Sequence, residues 1–192
     1  MTEVLAVTCG IFREEMRALG PRFPGLRPVF LDSMLHMRPG VLQDRIDGLL
    51  ADRRARKVLF IYGDCTPRIV ELCRLPGFAK TAGINCCEIL LGREEYVRLR
   101  RSGAFFFLPE WTARWRRVFE GELGFAGGRG VEEMLREVHD RFIYLDTGVA
   151  PVPRDTLDEI VSGLGLPMTV LETGLSRLEE NIACALGRLH EG

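Results

Sequence analysis

The chain has 192 residues, 46% of them hydrophobic, which is enough for one substantial core. Its 26 basic and 27 acidic side chains leave a formal net charge of -1, so no general attraction to nucleic acid or to an anionic membrane surface is expected. Charges or glycines interrupt every apolar run before it reaches the roughly 20 residues that span a bilayer. We therefore expect a single α/β domain over residues 1–192, with no nucleic acid and no membrane as partner.

The N-terminal segment lacks the basic start and the cleavage site of a secretory signal, because Glu3 is acidic and charges resume at Arg13. This favours a cytoplasmic location, in which the six cysteines stay reduced. The absence of a Cys-x-x-Cys pair argues against zinc-ribbon and thioredoxin-type sites. Any metal site must therefore be assembled from segments that are distant in the chain.

The first part of the chain alternates apolar and amphipathic segments. In chain order the patterns predict a strand over 4–8, a helix over 11–19, a strand over 27–31, a helix over 41–53, a strand over 57–62 and a short helix from Pro67. The segment 57–62 (KVLFIY) is an unbroken apolar run after its first residue, Lys57, which is typical of a parallel strand covered on both faces.

The second part continues the alternation. It predicts a helix over 93–101, a strand over 104–108, a helix over 111–119, a flexible loop over 124–130, a helix over 131–140, a strand over 142–145, a helix over 153–164, a strand over 168–171 and a helix over 175–189. Strands and helices that alternate at this spacing favour an α/β fold, with a mostly parallel open sheet and helices on both faces. Such an arrangement is Rossmann-like, with three layers.

Three cysteines stand close to the ends of strands, each near a glycine or a carboxylate: Cys9, Cys65 and Cys86. Ligands of an open parallel sheet bind at the carboxyl ends of its strands, where the loops diverge. Thiolates brought together there are good ligands for a soft metal, so these three residues form a candidate metal site. Each cysteine taken alone is better explained as a small buried hydrophobe, and only the joint placement of the three favours a ligand role.

Other polar side chains fall at the same kind of position. Asp64 and Glu88 are candidate catalytic acids or bases beside two of the cysteines, although either also suits a helix cap. His36 and Asp146 follow other predicted strands and are candidates for binding a cofactor. His36 is also the residue best placed to complete a metal site with the thiols.

Five short segments also share their order and spacing with a known family: Thr8-Cys9-Gly10, Leu35-His36-Met37-Arg38-Pro39, Tyr62-Gly63-Asp64-Cys65, Gly83-Ile84-Asn85-Cys86-Cys87-Glu88 and Gly103-Ala104-Phe105-Phe106-Phe107-Leu108. Over about residues 4–150 the chain resembles the DUF1638 family of uncharacterised prokaryotic proteins. The resemblance implies that Cys9, His36, Cys65, Cys86 and Glu88 are the positions of interest. Asn85 departs from the histidine usual in the family, and Thr66-Pro67-Arg68 replaces a glycine-rich continuation.

The resemblance further implies an association with corrinoid-dependent methyl transfer from methylamines. Separately, three soft sulfur ligands without a Cys-x-x-Cys pair favour an iron-sulfur cluster with one open iron site, by analogy with cluster enzymes built on α/β units. A zinc ion completed by His36 or by substrate is the alternative. A non-catalytic accessory protein that handles corrinoid or metal is a further hypothesis, as is a small-molecule binder whose cysteines only pack. The expected partners are a small-molecule substrate or components of a corrinoid methyltransferase.

Overall fold

The computed structural model describes residues 3–51, 57–122 and 129–191, and it confirms the α/β fold class. The chain divides into two compact units, the first made of Met1–Arg93 with Leu175–Gly192 and the second of Glu94–Gly174. The expectation of a single domain stays a prediction, and the two units are described separately.

Strands and helices alternate along the described residues as the sequence predicts. The strands are β1 (Val4–Cys9), β2 (Leu26–Leu31), β3 (Val58–Ile61), β4 (Phe78–Lys80), β5 (Ala104–Phe107), β6 (Arg141–Asp146) and β7 (Met168–Glu172). The α-helices are α1 (Arg13–Leu19), α2 (Pro39–Ala51), α3 (Pro67–Leu72), α4 (Cys86–Leu91), α5 (Arg93–Arg101), α6 (Pro109–Ala113), α7 (Arg129–Val138), α8 (Arg154–Leu164) and α9 (Ser176–Glu191). None of the helices in the described ranges is long and apolar enough to cross a membrane.

The first unit contains a four-stranded sheet with the order β2-β1-β3-β4, and every neighbouring pair is parallel. Val7 of β1 pairs with Val29 on one side and with Phe60 on the other. All four residues of β3 are buried, as the uninterrupted apolar run predicts. Because the strands run in one direction, their carboxyl ends share one edge of the sheet.

Helix α9 returns the end of the chain to the first unit, where it packs on β3, β4 and α4. Its buried side chains recur at helical spacing and form one apolar face: Leu178, Ile182, Ala185 and Leu189. The opposite side of the same helix carries charged residues. The helix therefore covers the sheet with one face and leaves polar side chains beside the ends of the strands.

The second unit contains a three-stranded parallel sheet with the order β5-β6-β7. Its core is aromatic, because the rings of Phe107 and Phe142 lie 5.2 Å apart edge to face and Phe119 stacks on Phe107 at 5.6 Å. The sequence indicates these strands individually, but their separation into a second sheet appears only in the structure.

Three local features differ from the sequence prediction. Strand β4 was not predicted, since three residues are too few to show a period. The helix predicted over 111–119 is instead the short α6, which begins at Pro109 and ends at Ala113, followed by a π-helix over Arg117–Glu122. Most of the loop predicted over 124–130 lies outside the described residues, as do the last two residues of the helix predicted over 41–53.

Gly63 allows the loop that follows β3 to touch the loop that follows β4. The Asp64 N–H donates to the Ile84 carbonyl at 2.8 Å. A Cβ atom on Gly63 would lie 2.5 Å from both the Ile84 carbonyl oxygen and the Asn85 Cα. These are backbone atoms of a neighbouring loop, so they have little freedom to move away. The close approach of the two loops therefore requires glycine at position 63.

We predict that Gly63→Ala lowers the free energy of unfolding by about 1–3 kcal/mol, because the added methyl group overpacks this contact. Urea unfolding followed by circular dichroism measures the effect. Gly48→Ala is the matched control: no atom lies within 4 Å of its Cβ position in α2, and alanine there should add roughly 0.5–1 kcal/mol. Equal stability of Gly63→Ala and the wild-type protein would contradict the prediction.

Candidate functional site

Three neighbouring strands of the first unit position the three predicted cysteines. Cys9 is the last residue of β1, Cys65 lies in the loop after β3, and Cys86 begins α4 after β4. Because β1, β3 and β4 are adjacent and parallel, all three cysteines reach the same edge of the sheet. The sequence prediction that these residues follow strands is therefore correct, although the strand before Cys86 is the unpredicted β4.

The three thiols lie close enough to influence one another. The Cys86 thiol forms a hydrogen bond with Cys9, and the charge of Cys65 interacts with both. Cys9 is 3% exposed, while Cys65 and Cys86 are half-buried. Sulfur atoms that are distant in the chain thus converge on one place in the folded protein.

Tyr62 lies at the centre of this cluster and was not singled out from the sequence. Its side chain is 1% exposed, and its hydroxyl has no hydrogen-bond partner among the described residues. Burial raises the pKa of Tyr62, and Cys9, Cys86 and Cys65 raise it further, in that order. All three thiols therefore lie close to one buried hydroxyl, which has no partner of normal hydrogen-bond geometry although Cys9 is within reach. The sequence feature that could have identified this residue is its hydroxyl group, which stands at the end of the apolar run over 58–62.

Two thiols of the cluster, Cys65 and Cys86, hold their protons at neutral pH. Burial raises the pKa of Cys65 to about 11, with smaller contributions from Cys9 and Asp64, while the Lys80 ammonium and the Gly63 backbone oppose the increase. Hydrogen bonding to Cys9 raises the pKa of Cys86 well above its usual value, and burial adds to this. A cation bound among the sulfurs would lower the pKa of the thiols that hold it, since it stabilises thiolates.

Glu88 is a buried carboxylate next to the cluster, 5% exposed in the first turn of α4. It accepts a hydrogen bond from the Ile84 N–H at 3.4 Å and lies 3.7 Å from an Arg93 nitrogen. Asn85 caps the helix instead, because its side-chain oxygen accepts from the Glu88 N–H at 2.9 Å. Asn85 is thus the N-cap, and the Glu88 carboxylate supports the same end of α4 through the Ile84 N–H.

Asp64 is held by Lys80, whose ammonium lies 2.9 Å from the carboxylate. Lys80 also donates to the carbonyl oxygens of Thr81 and Gly83, so it ties the loop after β4 to the loop after β3. Thr66, and not Asp64, caps α3. Lys80 was missed in the sequence because it ends the unpredicted strand β4.

The two predicted cofactor-binding residues lie in separate units. His36 occupies the 3₁₀-helix after β2, where its Nδ1 bonds to the Ser33 carbonyl at 2.6 Å. Asp146 ends β6 in the second unit, and its carboxylate accepts from the Gly148 N–H at 2.9 Å. The Asp146 contact closes a turn after the strand, and a cofactor role for either residue stays a prediction.

Within residues 3–51, 57–122 and 129–191, no group of three or more His, Cys, Asp or Glu side chains is arranged as a ready-made metal site. The cluster is an arrangement of free thiols, two of which, Cys9 and Cys86, are in mutual contact. A common ligand would require the side chains to lose protons and turn toward it.

The fold and the cluster together define an α/β protein with parallel sheets and a thiol cluster at the carboxyl ends of three strands. The chain belongs to the DUF1638 family, since the family model described as "Protein of unknown function (DUF1638)" matches residues 30–182. The matched region includes His36, Cys65, Cys86 and Glu88 and begins after Cys9. No curated protein and no solved structure matches the chain.

We predict that alkylation of Cys65 by iodoacetamide accelerates about tenfold per pH unit up to pH 10, because only the thiolate reacts. The rate should level off near the pKa of about 11. Mass spectrometry of timed samples measures it site by site. Lys80→Met removes the opposing positive charge and should slow the reaction at each pH. In urea-unfolded protein the rate should level off near pH ~8.5, and the same plateau in the folded protein would contradict the prediction.

Proposed function

We propose that the first unit binds a metal centre through Cys9, Cys65 and Cys86, most consistent with an iron-sulfur cluster that has one open iron. The observation that carries this proposal is the convergence of three sulfurs on the buried Tyr62 hydroxyl. Soft sulfur donors suit such a centre, and three cysteines leave one position for a substrate. The proposed place of action is the cytoplasm, where free thiols persist.

The Tyr62 hydroxyl, which lacks a well-formed hydrogen bond, supports the proposal that a ligand binds at this point. A buried hydroxyl without a partner costs about 1–3 kcal/mol. A group held by the three thiolates would offer an acceptor for this hydroxyl, for instance a sulfide or a bound substrate oxygen. The residues present therefore fit a centre that the thiols hold and that Tyr62 contacts.

A zinc ion is the second candidate, and the contact between Cys9 and Cys86 favours it. Two sulfurs in a tetrahedral zinc site lie about 3.8 Å apart, given Zn–S bonds of about 2.3 Å. Sulfurs that share a hydrogen bond have a similar separation, whereas those of a cluster bind different irons and are further apart. His36 or substrate would then supply the fourth ligand.

An open coordination position would supply a Lewis acid or, for a cluster, an electron port. Glu88 would hold or take up the proton of a substrate there, because its carboxylate is buried beside the cluster. Asp64 would have a positioning role, since its ion pair with Lys80 fixes the loop that carries Cys65. One-carbon or corrinoid-linked methyl metabolism is the proposed setting, as an enzyme or as a metal-handling accessory protein.

Replacing Cys9, Cys65 or Cys86 by serine should each abolish metal retention in protein purified without oxygen, because two sulfurs cannot hold the centre. Iron, acid-labile sulfide and zinc are measured per chain. Cys73→Ser and Cys184→Ser are the controls and should keep the wild-type metal content. Iron with sulfide would identify the cluster, and stoichiometric zinc would identify the single ion. A metal-free wild-type protein, or equal loss in all five variants, would refute the proposal.

Tyr62→Phe should stabilise the metal-free protein but weaken metal retention in the metal-bound protein. Without metal it should raise the free energy of unfolding by about 1 kcal/mol, since it removes an unsatisfied buried hydroxyl. With metal it should accelerate loss of the metal to a chelator, because a hydrogen bond to the centre is gone. Tyr144→Phe, in the other unit, should leave the chelation rate unchanged. An unchanged chelation rate in Tyr62→Phe would remove the assigned role of the hydroxyl.

A further inference from the structure

A cavity of about 610 Å³ lies in the first unit between α9 and the loops that follow β3 and β4. Basic side chains line it at several points: Lys80, Arg93, Arg177 and Arg188. Asp64, Glu88 and Glu180 are its acidic lining residues, so the wall carries an excess of positive charge. A volume of this size suits a small organic ligand.

Two of the lining arginines meet the chain at Gly92, the residue that follows α4: Arg93 is its neighbour in the chain, and Arg177 approaches it from α9. Gly92 has φ +77, and a Cβ atom there would lie 3.4 Å from the Arg177 Nε. The Arg177 guanidinium therefore rests against the backbone immediately before Arg93. Glycine is favoured at this position by its backbone conformation, and it also leaves room for the guanidinium.

The ion pairs of these two arginines are long. Arg93 lies 3.7 Å from Glu88, and Arg177 lies 3.3 Å from Glu180. Charge-assisted hydrogen bonds of arginine are usually about 2.7–2.9 Å long. Outside the cavity, by comparison, Arg98 reaches its glutamate at 2.6 Å. Each of these guanidinium groups has several N–H donors and one long carboxylate contact, so it retains donors that a bound anion can use.

The cavity wall is held in place independently of any ligand. Asn181 of α9 donates to the Ala82 carbonyl at 2.7 Å and accepts from the Ala82 N–H at 2.6 Å. Arg188 donates to the Lys80 carbonyl at 2.8 Å. Arg188 follows Arg177 by three turns of α9, a distance of about 16 Å. The cavity is therefore elongated and carries basic groups toward both ends.

We propose that this cavity binds an elongated organic anion, with a carboxylate or phosphate group held between Arg93 and Arg177. The fork shape of guanidinium matches both groups. Glu88 lines the cavity, and the loops that carry Cys65 and Cys86 form part of its wall. The proposal goes beyond the metal site and does not require it, because neither arginine is a metal ligand.

Isothermal titration of the purified chain with citrate and with pyrophosphate tests the proposal. Saturable binding is expected for one of them, which also distinguishes a carboxylate ligand from a phosphate ligand. Arg93→Gln and Arg177→Gln should each weaken that binding about tenfold through loss of a charge-assisted hydrogen bond. Arg17→Gln makes the same change of charge on an exposed helix of the first unit and should keep wild-type affinity.

Failure of both probes to bind saturably, or an equal loss of affinity in Arg17→Gln, would overturn the proposal. Metal content should be unchanged in Arg93→Gln and Arg177→Gln, and Cys65→Ser should still bind the anion. The two proposals are therefore tested independently. Absence of anion binding argues against the cavity proposal, and absence of metal argues against the metal-site proposal.

Discussion

The close contact between the loops after β3 and β4 is the constraint on which the rest of the site depends. Adjacent parallel strands bring these loops to one edge of the sheet, but only a residue without a Cβ atom lets their backbones touch. Gly63 meets that condition, and the hydrogen bond from Asp64 to Ile84 fixes the contact. Cys65 and Cys86 follow these contact points directly, so their sulfurs converge as a consequence.

The convergence of the cysteine thiols has an electrostatic consequence. Thiols placed together in a partly dry environment keep their protons, because each thiolate would lack solvent and repel its neighbours. The raised pKa values of Cys65 and Cys86 express this cost, and Lys80 offsets only part of it for Cys65. A bound cation is the usual means by which proteins stabilise several thiolates at one point.

The thiol cluster and the basic cavity share the same pair of loops. Asp64 and Glu88 line the cavity, while their chain neighbours carry sulfurs of the cluster. Lys80 contributes to both, because it lines the cavity and also opposes the rise in the pKa of Cys65. A ligand in the cavity would therefore lie beside the loops of the proposed metal centre.

The sequence by itself determined the α/β class, the longer strands and helices, and the position of Cys9 and Cys65 after strands. These features follow from local periodicity and from the uninterrupted apolar run over 58–62. Strand β4, its terminal Lys80, the central Tyr62 and the division into two sheets were decided only by tertiary structure. A three-residue strand has no period, and the partners of Tyr62 and Lys80 are set by strand order, which local sequence does not encode.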